Sequence, residues 1–88
     1  MSFAEDIVPS IRSDCAPCHR TGGWGVKLDG TVEDYPRVMV YVDVDDPEAM
    51  NGFLWWAAGG GMHPISWREG GTDYQRFLNW VLQGAENN

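Results

Sequence analysis

Apolar residues recur at helical spacing at both ends of the chain. Near the start, Phe3, Ile7, Val8 and Ile11 share one helical face and run into Cys15, which predicts a helix of about three turns. Pro9 constrains it: either the helix begins near Asp6, with proline in its first turn, or an earlier start is kinked there. At the other end, Tyr74, Phe77, Leu78, Val81 and Leu82 repeat with the same period, Thr72-Asp73-Tyr74-Gln75 reads as a capping box, and Gly84 supplies a stop. Between them, Asp46 is a cap candidate, Pro47 a first helical position and Glu48 an acidic first-turn residue. Met50, Phe53, Leu54, Ala57 and Ala58 then repeat helically, which predicts a helix over 47–58, shortened or irregular at Asn51-Gly52 because that dipeptide also signals a turn. Val38 to Val44 alternates with period two but has no partner strand, so it is expected to be extended without forming a sheet. Gly22 to Gly30 reads as a glycine-rich loop carrying Trp24 and Leu28. The predicted class is all-α: three or more short helices joined by long irregular loops.

Eighty-eight residues make one small domain, and 43% hydrophobic with 22% charged residues is a globular balance. A core this small usually needs a disulfide, a metal or a cofactor beside it. Five Trp, three Tyr and three Phe imply either an aromatic core or a large flat ligand among the rings. The formal net charge of −7 argues against a nucleic-acid partner. Acid gathers at Asp43, Asp45, Asp46 and Glu48, where it either steers a basic docking face or forms a solvated loop. No stretch approaches the roughly 20 apolar residues of a membrane span, and the first residues do not read as a signal peptide.

The two cysteines are three residues apart, too close to staple distant segments. Cys15-Ala16-Pro17-Cys18-His19 is instead the C-x-x-C-H pattern of c-type haem attachment. Residues at i, i+3 and i+4 of a helical turn share one face, so both thiols can reach one porphyrin edge while His19 serves as the proximal iron ligand. Two other chemistries use the same side chains. A thioredoxin-like redox pair expects a βαβ pattern that the flanking sequence lacks, and a structural zinc site can be composed from Cys15, Cys18, His19 and His63. Zinc leaves the tryptophans unexplained.

An iron held by one histidine needs a sixth ligand or an open face. Met62 lies in Gly59-Gly60-Gly61-Met62-His63-Pro64, where glycines permit close backbone approach to a flat ligand, and is the expected distal ligand; His63 is the alternative. Trp24, Leu28, Tyr35 and Trp67 are candidates for the apolar haem pocket, and Arg37 or Lys27 for a propionate partner, each of these two being equally readable as a surface charge. Trp55, Trp56, Phe77 and Trp80 read as core or helix-contact residues.

This order of an N-terminal helix, C-x-x-C-H, an irregular middle, a Met loop and a closing helix resembles the class I cytochrome c fold over most of the chain. Asp46-Pro47-Glu48-Ala49, Gly59-Gly60-Gly61, Asp73-Tyr74-Gln75 and Asn79-Trp80-Val81-Leu82-Gln83-Gly84-Ala85 are similar to small cytochrome c domains within larger exported bacterial proteins. The resemblance implies that the first and last helices pack together beside one haem c, that Cys15 and Cys18 form its thioethers, and that His19 and Met62 hold its iron. It also implies a periplasmic or otherwise exported location, with the signal lying outside this sequence, and a redox partner protein or fused redox domain. One departure stands out: Thr21-Gly22-Gly23-Trp24 replaces the Gly-Pro whose carbonyl usually orients the axial histidine. The expected function is single-electron transfer with no catalytic residue of its own. The alternative is a haem sensor or peroxidatic domain with a labile or open distal side at Met62 or His63.

Overall fold

The structure is a computed structural model that describes residues 1–20, 25–46 and 52–88. Five α-helices appear among the described residues, and no strand: α1 (Val8–Asp14), α2 (Ala16–His19), α3 (Tyr35–Met39), α4 (Phe53–Ala57) and α5 (Thr72–Leu82). The all-α class therefore holds, and none of these helices is long and apolar enough to cross a membrane.

A π-helical turn over Phe3–Ile7 leads into α1, so the helical path starts well before Asp6. Proline has no N–H to return to a carbonyl one turn back. The wider turn absorbs the gap: Val8 N–H donates to Phe3 O, while the Ser2 side chain accepts from Glu5 N–H at the entrance.

α5 buries Phe77, Leu78, Trp80 and Val81 but leaves Leu82 largely exposed. Its cap differs from the sequence expectation. Gly71, not a threonine hydroxyl, is the N-cap: Gly71 N–H donates to Arg68 O, Gln75 N–H donates to Gly71 O, and Thr72 is already helical. The predicted capping box therefore does not form. The stop at Gly84 does form, as a Schellman motif in which Ala85 N–H donates to Trp80 O and Gly84 N–H to Val81 O. Gly84 has φ +107°, in the region that glycine enters without steric cost.

Two further expectations change in the middle of the chain. Val38 and Met39 belong to α3, so Val38 to Val44 is not a uniformly extended segment. A capping arrangement overrides the period-two pattern: the Thr31 hydroxyl accepts from Glu33 N–H, Asp34 accepts from Thr31 N–H, and Pro36 sits in the first turn of α3. The predicted 47–58 helix is seen only from Phe53, because Gly52 is extended with ψ 174° and acts as the N-cap of α4. The earlier part of that prediction, with Glu48 and Met50, lies outside the described residues.

The N-terminal turn packs directly against α5. Phe3 lies against Trp80 with ring centres 5.2 Å apart, and Ala4 N–H donates to Asn88 O. The Ser10 hydroxyl donates to Asp73 at 2.7 Å, and Arg76 reaches both, which ties α1 to the start of α5. Phe53 of α4 stacks on Phe77 at 4.7 Å and completes the aromatic core.

Candidate functional site

α1 ends and α2 begins at Cys15, where Pro17 cannot donate into a continuous ladder. Cys15 O accepts from both Cys18 N–H and His19 N–H, so the C-x-x-C-H segment forms a single turn. Cys15 and His19 line one cavity; Cys18 is solvent-exposed and is not among the lining residues.

The loop after the motif folds back on His19 at two points. Leu28 N–H donates to His19 O at 2.7 Å, and the His19 ring bonds through Nδ1 to Val26 O at 3.0 Å. A carbonyl only accepts, so Nδ1 is the donor, and in the neutral ring Nε2 is the nitrogen that would bind a metal. This is the orienting carbonyl that sequence could not assign. Gly25, at φ +64°, makes the turn, and a Cβ there would stand 3.6 Å from His19 Cε1. A buried carboxylate holds the far end of the loop. Asp34 accepts from the amides of Asp29, Gly30 and Thr31 and from the Arg37 guanidinium. Burial alone pushes the Asp34 carboxyl up; these donors outweigh it and hold it below its ordinary value of 3.8.

The cavity measures about 260 Å³, near the lower limit of small-molecule sites. Apart from Cys15 and His19, its walls come from Gly25, Val26, Leu28, Tyr41, Phe53, Trp56, Ala57, His63 and Ser66. Burial pushes the Cys15 thiol up to about 12, with the charges of Asp14, Asp34, Asp73 and Cys18 adding to the effect. Cys15 therefore stays a neutral thiol at physiological pH.

The triple glycine precedes the cavity-lining His63. Gly60 and Gly61 lie so close to the indoles of Trp55 and Trp56 that a Cβ would meet them at 2.4 and 2.6 Å. The close approach expected of these glycines is thus made to tryptophans of α4. His63 leaves this loop half-buried, with its ring centre 5.9 Å from that of His19 and the two planes within 14°. Met62 has φ +66° and is 99% exposed, outside the cavity lining.

Of the four expected pocket residues, Leu28 lines the cavity and Trp24 lies outside the described residues. Tyr35 sits elsewhere: its ring packs edge-on against Phe3 and Trp80, and its hydroxyl donates to Ala85 O at 2.7 Å. Trp67 is also outside the lining, packed on Phe53 and Phe77 with Nε1–H donating to Asp14. Both side chains belong to the core between helices. The cations considered for a propionate are engaged with carboxylates, Lys27 with Asp29 and Arg37 with Asp29 and Asp34. Sequence reasoning missed Tyr41 and Phe53 as cavity walls and read Trp56 as a core or contact residue, although it faces the cavity.

By donor chemistry the site fits a haem: a thiol and two imidazoles open onto an otherwise mainly apolar cavity, and one imidazole is held with its metal-binding nitrogen free. By volume the cavity holds only part of a macrocycle. A haem bound here would supply one-electron iron chemistry. The chain itself fixes the ring of His19, buries Cys15 and lines the cavity with Phe53 and Trp56. The four residues considered for zinc do not form such a site, since no three His, Cys, Asp or Glu side chains gather into a metal-binding group among the described residues.

Comparison with known protein families, curated proteins and solved structures gave no match to this chain.

Proposed function

We propose that this chain is a one-electron transfer domain carrying a single c-type haem, bound through thioethers at Cys15 and Cys18, with His19 as one axial ligand. The observation that carries the reading is the His19 ring, held by Val26 O within a C-x-x-C-H turn and lining the same mainly apolar cavity as Cys15. In thioether formation each cysteine adds its S–H across one vinyl group, forming a C–S and a C–H bond with no external oxidant. The loop of Gly59 to Pro64 offers the second axial ligand from Met62 or His63.

Attachment to C-x-x-C-H takes place outside the cytoplasm, so the domain works in the periplasm or another exported setting, alone or as a relay within a larger protein. The exposed acid of Asp43, Asp45 and Asp46 follows shortly after the cavity-lining Tyr41, which favours a redox partner with a basic docking face. Co-expression with a haem-attachment system tests the reading. Covalent haem should appear in the wild type, be lost in Cys15→Ser/Cys18→Ser, and undergo reversible one-electron reduction. A chain that emerges without haem refutes it. A reduced haem that binds carbon monoxide favours a sensor or peroxidatic role with an open distal side.

A further inference from the structure

The two histidines are held alike. His19 Nδ1 bonds to Val26 O at 3.0 Å and His63 Nδ1 to Pro64 O at 2.6 Å. Because carbonyls only accept, each ring uses Nδ1 as its donor, which leaves Nε2 as the nitrogen not engaged by that carbonyl. This is the arrangement in which a metal-ligating imidazole is usually oriented. The rings are nearly parallel, line one cavity, and have centres 5.9 Å apart. Met62 offers a contrast. Its left-handed backbone turns the side chain into solvent while the next residue faces the cavity. Gly60 and Gly61, seated on Trp55 and Trp56, hold the loop in that register.

We propose that His63, and not Met62, completes the iron coordination, making this a bis-imidazole centre. The proposal rests on the haem reading above. It also specifies the partner. A methionine ligand raises the potential of a haem iron, so its replacement by imidazole lowers it. The domain therefore exchanges electrons with carriers at lower potential than those suited to a His/Met cytochrome.

The test uses the haem-loaded protein and begins with the wild type, so it does not depend on a variant folding. The expected ferric spectrum is low-spin without a sulfur-to-iron charge-transfer band, and the reduced form does not bind carbon monoxide. Met62→Leu should leave both the spectrum and the potential unchanged. His63→Ala should yield a haem that binds carbon monoxide, and His63→Met should gain the sulfur band and a higher potential. A sulfur band in the wild type that disappears in Met62→Leu overturns the proposal, as does carbon monoxide binding by the wild type. In both cases the covalent haem remains: the sulfur band leaves the electron-transfer reading standing with Met62 as ligand, whereas carbon monoxide binding favours the sensor or peroxidatic role. A chain that attaches no haem overturns both.

Discussion

Replacing Asp34 by asparagine tests how the loop that positions His19 is held. Asp34 is fully buried, and its two oxygens accept from three backbone amides and one guanidinium nitrogen. Asparagine keeps one acceptor oxygen and turns an NH2 group toward the donors of the other. If the amide oxygen faces Asp29 N–H and Arg37, the bonds from Gly30 N–H at 2.7 Å and Thr31 N–H at 3.3 Å are lost. Hydrogen bonds to a charged group contribute about 1.5–3 kcal/mol each, so losing two costs about 3–6 kcal/mol, and partial relaxation favours the lower figure. A loss of about 3 kcal/mol lowers Tm by about 12–24 °C in a domain of this size. The pH dependence gives a second check. Because the folded carboxyl titrates below its ordinary value of 3.8, its stabilisation is fully present above that value and is lost as pH falls through the folded one. The gap between wild type and Asp34→Asn should therefore be full at neutral pH and close in acid, where Asp34 is also uncharged. Urea unfolding followed by tryptophan fluorescence across this range measures it. Equal stabilities at neutral pH, or a gap that does not change with pH, would refute the reasoning.

Other predictions concern the site and the core. In the haem-free protein, iodoacetamide should modify Cys18 at least about tenfold faster than Cys15, because Cys15 is buried and its thiol is pushed up to about 12; peptide mass spectrometry reads the order, and equal rates would place Cys15 in solvent. Gly60→Ala sets a Cβ 2.4 Å from the Trp55 indole and should cost about 1–3 kcal/mol while shifting the loop that carries His63. Thermal unfolding measures the cost, and a haem spectrum unchanged from wild type would show that this seating does not place the distal ligand. Tyr35→Phe loses the hydrogen bond to Ala85 O and should destabilise by about 0.5–1.5 kcal/mol, with no change in the haem spectrum because Tyr35 lies outside the cavity. A spectral shift in that variant would return Tyr35 to the site.

The sequence by itself determined what depends on short-range chemistry. The spacing of Phe3, Ile7, Val8 and Ile11, and of Phe77, Leu78 and Val81, marks helices because a 3.6-residue period is local. Gly84 marks a stop because only glycine adopts its backbone conformation freely. Cys15, Cys18 and His19 stand out for the same reason: their chemistry is written in adjacent letters. Local signals failed where two of them competed. A hydroxyl at Thr72 loses its capping role once Gly71 has turned the chain, and the alternation at Val38 to Val44 yields to the capped start of α3.

Tertiary structure alone decided which distant residues meet. The carbonyl of Val26 orients His19, but every residue has a carbonyl and nothing in its letter says which one will do so. Tyr35 and Trp67 have the composition of pocket residues, yet their polar tips find partners in the helix seam, at Ala85 and Asp14. Phe53, Trp56 and Tyr41 wall the cavity because α4 and the chain after α3 pack around the C-x-x-C-H turn. The different placement of Met62 and His63 has the same origin. The two are adjacent in sequence, and the backbone of a glycine loop seated on two indoles turns one toward solvent and the other toward His19.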